Sequence, residues 1–179
     1  MSLNKFLFFF KRPKVVIVTG KGSKTAKEAI LKVLTGYFKI GKEVIVDDGN
    51  VEKSGFFLKK SKLPILVATH VGEYHPEKEI FIGEPKDAQD SSKLAEILPS
   101  HGYLVLNFDD ETVRDLKNKK NLNVATFGFG AKADIQASDI VLTQLPTPGT
   151  NFKVNYDGKI VPIWLERLFG KEHIYAALA

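Results

Sequence analysis

Short apolar runs alternate with polar, glycine-bearing stretches along this chain, and the spacing of the apolar positions changes from one run to the next. Val15-Val16-Ile17-Val18 is a continuous β-branched run, the pattern of a strand covered on both faces. Ile30, Val33, Leu34, Tyr37 and Phe38 recur at helical spacing, which predicts an amphipathic helix over 25–38. Further buried strands are predicted at 44–46, 64–69, 103–107, 123–128 and 139–143, with helices over 90–98 and 111–119. Strands alternating with helices predict an α/β fold whose mostly parallel sheet is covered on both faces. Near the end the pattern changes. Segments 151–156 and 159–164 flank Asp157-Gly158, a strong hairpin signal, and 172–179 reads as a closing helix.

Composition narrows this picture. A chain of 179 residues is one domain's worth and should bury about 70% of its unfolded surface. It has no cysteine, which excludes disulfides, thiolate nucleophiles and cysteine-ligated zinc. No run approaches the ~20 apolar residues of a membrane span. The run Phe6 to Phe10 is too short for a secretory signal and lacks a cleavage site, so it reads as a short element packed on the domain or as a partner-docking patch. Net charge is +5 and uneven: residues 1–63 carry 14 Lys/Arg against 5 Asp/Glu, a net of +9. That excess suits an anionic partner or a solvated lysine-rich surface. The lysines are not interleaved with aromatics on a strand platform, which argues against nucleic acid.

The candidate chemistry lies directly after the first strand. Thr19-Gly20-Lys21-Gly22-Ser23-Lys24-Thr25 joins a buried strand to a helix N-terminus. Open amides and the helix dipole favour an anion there, and glycines let it approach. Lys24 could reach outer phosphates and the Thr25 hydroxyl could ligate magnesium. The full phosphate-loop motif has glycine directly before the lysine, where this chain has Ser23; a positive φ at that place would cost serine about 1–2 kcal/mol. The alternative is a tight turn closing a βα unit.

Several segments, in order, resemble the central ATP-binding domain of the Mur ligases, cytoplasmic enzymes of peptidoglycan synthesis. They are VVIVTGKGSKTAKEA (15–29), LPSHGYLVLNFDD (98–110), ATFGFGAKADIQASDI (125–140), and 149–156 followed by 170–179. Together they look nearest to the branch that adds D-alanyl-D-alanine to UDP-muramoyl tripeptide. The resemblance implies a P-loop NTPase-like three-layer α/β domain over residues 14–179, after an apolar and basic segment over 1–13. It implies an ATP-dependent acid–amino-acid ligase with ATP and Mg2+ as cofactors and a UDP-muramoyl peptide as partner. Carried over by position, Gly20, Lys21, Gly22, Ser23, Lys24 and Thr25 would hold phosphates and Thr25 a metal. His75, in THVGEYHPE (69–77), would match a histidine near a second magnesium. Asn107 would match the asparagine near the adenine, and Asp109 and Asp110 the acidic pair after it. The alternative for Asp110 is a helix cap.

The chain also departs from that family. The strand ending in E-M-G, whose glutamate binds magnesium, has no counterpart between Lys42 and Pro64. The position of the carbamylated lysine holds Ser91, with Lys93 two places away. The asparagine-rich substrate segment shrinks to 49–55. Ala26 replaces a hydroxyl, and Glu172 stands where the closing motif has histidine, with His173 following. The family's two flanking domains are missing from these residues, and the end at Ala179, within a predicted helix, suggests a segment cut from a longer protein. Two expectations follow: a ligase domain incomplete as an isolated chain, or a non-catalytic nucleotide-binding, structural or regulatory relative.

Overall fold

β-branched side chains pack well on a pleated surface buried on both sides, and β1 (Lys14–Thr19) shows why. In the computed structural model, which describes residues 8, 12–48, 51–75, 80–83, 85–119, 122–144 and 146–179, its side chains alternate between two cores. Val15 and Ile17 face one core with Leu58, Leu94 and Leu104, while Val16 and Val18 face the other with Ala26, Phe127 and Ile174. Of the Phe6 to Phe10 run, Phe8 is described. It is buried against Phe57 at a ring distance of 4.9 Å, and the rest of the run lies outside the described residues.

The elements are β1, α1 (Ser23–Leu34), β2 (Val44–Asp47), α2 (Val51–Lys60), β3 (Leu63–Ala68), β4 (Gly72–His75) and β5 (Ile80–Gly83). There follow α3 (Pro85–Ile97), β6 (Tyr103–Asn107), α4 (Glu111–Arg114), β7 (Asn123–Gly128), β8 (Ile135–Thr143), β9 (Gly149–Tyr156), β10 (Lys159–Glu166) and α5 (Lys171–Leu178). The main sheet has the order β10-β9-β8-β7-β6-β3-β1-β2. Pairing from β2 across to β8 is parallel, and β8, β9 and β10 are antiparallel. α1 and α5 cover one face, and α2, α3 and α4 the other, so the expected three-layer α/β class with its terminal hairpin and helix is present.

Four expectations are corrected. The first helix ends at Leu34 and not Phe38, where Thr35 caps it and a turn through Gly36 follows. The helix expected over 111–119 is α4 followed by a 3-10 turn over Asp115–Lys119. β8 begins four residues earlier than expected and carries an irregularity between Ser138 and Val141, where Asp139 takes φ +52°. The segment over 49–55 is not a reduced loop from Val51 onward. It opens α2, and Ser54 and Gly55 are buried, with Ile97 Cδ1 3.1 Å from where a Gly55 β-carbon would lie. Residues 49 and 50 lie outside the described residues.

Candidate nucleotide-binding site

The parallel strands β1, β3, β6 and β7 all end at one edge of the sheet, the usual place for ligands in open α/β sheets. The loop after β1 is held there by the end of β3. Lys21 N–H donates to the His70 carbonyl at 2.6 Å. The Thr69 hydroxyl lies 2.9 Å from the Thr19 carbonyl and 2.5 Å from that of Lys21, donating to them, and Thr69 N–H donates to Thr19 O at 3.0 Å. A β-carbon on Gly20 would lie 2.4 Å from the His70 carbonyl oxygen, so only glycine permits this approach.

Gly22 caps α1 in the left-handed region, φ +77° and ψ +1°, without a side-chain cap. The positive φ falls on Gly20 and Gly22, and Ser23 is already helical, so the strain expected at Ser23 does not arise. Among the described residues, the amides of Gly22, Lys24 and Thr25 have no backbone acceptor, as the first turn of a helix requires. These amides lie at the positive end of the α1 dipole, where an oxyanion would be favoured, and Lys24 is exposed in the same turn. Lys27, one turn along α1, pairs with Asp48 at 2.6 Å. That hydrogen bond raises the lysine's pKa and lowers the carboxylate's.

The other expected residues stand along the same edge, in different roles. Asn107 is fully buried at the end of β6. Its Oδ1 accepts from Asp109 N–H at 3.0 Å, while its Nδ2 has no partner among the described residues. Asp110 is 2% exposed, and both its oxygens accept backbone amides, Val71 N–H at 2.9 Å and Val113 N–H at 3.1 Å. It is the α4 cap, the alternative that its position in the sequence offered. Asp109 accepts from Phe129 N–H at 2.6 Å, Gly130 N–H at 2.9 Å and the Tyr175 hydroxyl at 3.0 Å. Sequence reasoning missed this role. The glycines at 128 and 130 carried a signal, since a β-carbon at Gly128 would lie 2.6 Å from Asp109 Oδ2.

The metal expectation has a weaker footing. Thr25 is in place in the first turn of α1, but the His75 side chain lies outside the described residues. Among the described residues no group of three or more His, Asp or Glu converges. Ser91 is buried, with its Oγ 3.2 Å from the Thr19 hydroxyl, so its position does face the loop; Lys93 is exposed. A groove of about 630 Å3 runs from Thr25 between α1 and α5, lined by Ala29, Val33, Leu168, His173 and Ala176 among others.

The chain is thus an α/β protein with a mostly parallel sheet and a glycine-bearing loop leading into a helix N-terminus at the sheet's carboxyl edge. Residues 58–179 match the family profile described as Mur ligase middle domain, and the chain belongs to that family. The match begins after the loop. A UDP-N-acetylmuramate–L-alanine ligase from Dictyoglomus turgidum is 33% identical over 151 residues, 83% of this chain and 31% of the relative. One from Caldanaerobacter subterraneus is 27% identical over 180 residues, 92% of this chain and 39% of the relative. The chain thus spans less than half the length of the curated relatives it matches.

Among solved structures, the MurF ligase from Thermotoga maritima in complex with ADP superposes with a TM-score of 0.73 at 14% identity, over 99% of this chain and 46% of that one. A UDP-N-acetylmuramoylalanyl-D-glutamyl-2,6-diaminopimelate–D-alanyl-D-alanyl ligase from Acinetobacter baumannii gives 0.72 at 18% identity, over 99% and 44%. At these identities the likeness is one of fold. No described helix is long and apolar enough to cross a membrane.

Proposed function

We propose that this chain is a Mur-type nucleotide-binding domain that takes the phosphates of ATP at Gly20 to Thr25 and does not by itself catalyse ligation. The observation that carries the reading is the loop itself: left-handed Gly22 at the cap of α1 and the open amides of Gly22, Lys24 and Thr25, with Lys24 exposed in the first turn. The family match and the ADP bound to the Thermotoga maritima relative support it. Buried Asn107, with its open Nδ2, is the residue proposed to meet the base. ATP supplies the phosphoryl group that Mur chemistry transfers to a carboxylate. The part assigned to this chain is binding and orientation of the nucleotide.

The substrate is proposed only as a class, a UDP-muramoyl precursor of peptidoglycan. The sequence resemblance pointed to addition of D-alanyl-D-alanine, but the curated relatives named above are L-alanine ligases. The D-alanyl-D-alanine names come with structures below 20% identity, which speak for fold alone. A non-catalytic role is favoured by Ser91, because a serine at the carbamate position cannot carry a carbamate. The test is calorimetric titration with ATP. The parent chain should bind, and Lys24→Ala should weaken binding at least about tenfold, the cost of one charge-assisted phosphate contact. Equal affinity in the variant would remove the loop from the account.

A further inference from the structure

The parallel strands also define an opposite edge of the sheet, where β1, β2, β3, β6 and β7 begin. Lys14 stands level there with Val44 and Leu63, and Tyr103 with Asn123. β1 is six residues long, so this edge lies about 20 Å from the loop that follows it. The lead into β1, the α1–β2 turn and the α2–β3 turn meet on this edge and are tied together. Lys14 N–H donates to the Glu43 carbonyl at 3.0 Å, and the Ser61 hydroxyl donates to that of Pro13 at 2.8 Å. Residues 12–14, 35–43 and 59–63 therefore share one surface, and they carry seven Lys/Arg against one Asp/Glu. Arg12, Lys39, Lys42, Lys59 and Lys62 are exposed. The single acid, Glu43, turns its carboxylate back onto the Lys39 amide at 2.7 Å.

Apolar side chains stand among these cations. The turn over residues 39–42 projects from the edge, since a β-carbon on Gly41 would meet nothing within 4 Å. Ile40 is exposed in that turn between Lys39 and Lys42, and Tyr37, just before it, is 79% exposed. Lys14 adds a further cation at the same edge, its Nζ 3.9 Å above the Phe38 ring.

We propose that this edge is a docking surface for an anionic lipid bilayer, with the lysines against the head groups and the Ile40 turn set shallowly into the interface. Charge complementarity supplies the attraction, because each lysine close to an acidic bilayer strengthens binding about fivefold. The Ile40 turn selects lipid over nucleic acid. A nucleic-acid base stacks on an aromatic platform along a groove, whereas an aliphatic side chain on a projecting turn gains by entering an apolar medium. Tyr37 suits the same boundary, since a tyrosine ring sits in the apolar layer with its hydroxyl in the wet one. The proposal is independent of the nucleotide reading, and it leaves the loop after β1 on the far edge, away from the bilayer.

The test is co-sedimentation of the full chain with vesicles of phosphatidylcholine alone and with ~30% phosphatidylglycerol, at ~0.1 M and ~0.5 M salt. The chain should bind the acidic vesicles at least about tenfold more tightly than the neutral ones, and lose that advantage at the higher salt. The double variant Lys39→Gln/Lys42→Gln should bind at least about tenfold more weakly. Ile40→Ser, with charge unchanged, should bind about threefold or more weakly. All three positions are exposed, so both variants should melt within about 2 °C of the parent, which keeps a loss of binding separate from a loss of fold. No sedimentation, equal sedimentation with neutral and acidic vesicles, or binding that neither variant weakens would overturn the proposal. Complete displacement from acidic vesicles by a single-stranded oligonucleotide at equal phosphate concentration would also overturn it, and would assign the surface to nucleic acid.

Discussion

Asp109 gathers three donors from two separate segments onto one carboxylate, the amides of Phe129 and Gly130 after β7 and the hydroxyl of Tyr175 on α5. Hydrogen bonds to a charged group contribute about 1.5–3 kcal/mol each, and they are not additive here because they share one acceptor. Asp109→Ala should therefore cost about 3 kcal/mol and lower Tm by roughly 6–12 °C in a thermal melt. Gly128→Ala should act through the same carboxylate, since its β-carbon would displace Asp109 Oδ2. The sequence announced Asp109 and Asp110 as an acidic pair, yet residue type alone could not tell ligand from cap. The difference lies in which amides the fold turns toward them.

Titration at the residue scale has a definite sign. His70 has a lowered pKa, so the unfolded chain binds its proton more readily. Its contribution to stability is present above the unfolded value near 6.5 and is lost as pH falls through the lower folded value. Asp48, also lowered, behaves the same way below about pH 4, whereas the contribution of Lys27, raised, is lost only as pH rises beyond about 10.5. This partly exposed pair contributes at most about 1 kcal/mol. Urea melts of the free chain from pH ~7 to pH ~5 should show a loss of stability, and His70→Asn should blunt it.

At the scale of elements, β1 and its loop were legible because a β-branched run ending in glycine before a helical repeat has few other readings. The serine before Lys24 looked like a flaw, but the left-handed residue is Gly22, one place earlier. Gly22→Ala should bring about 1–2 kcal/mol of backbone strain and press against the His70 ring, weakening ATP binding as well as the fold.

α2 was not legible. Its apolar residues are crowded into Phe56, Phe57 and Leu58, and Gly55 reads as a breaker, although it is there for close packing against Ile97. Leu58 is fully buried. Leu58→Ala should therefore cost about 2–5 kcal/mol in a denaturant melt. The β4–β5 pair was missed as well, because each strand is only four residues long and neither carries a sustained alternation.

Across the whole molecule, β1 lies directly between β3 and the edge strand β2. This arrangement puts Thr69 and His70 against the loop. Ser91 stands beside the same loop, its Oγ 3.2 Å from the Thr19 hydroxyl. Phosphate release from ATP should stay at background with a UDP-muramoyl precursor and either L-alanine or D-alanyl-D-alanine. Substrate-dependent turnover would contradict the non-catalytic part of the account.

The central claim, that the loop after β1 is a working nucleotide cradle, is tested most directly by following backbone amide NMR shifts during an ATP titration. The account predicts that Gly22, Lys24 and Thr25 show the largest changes, saturably, and that Lys24→Ala removes them while leaving the rest of the spectrum folded. A titration that leaves these three amides unmoved, or that shifts only residues elsewhere, would contradict it.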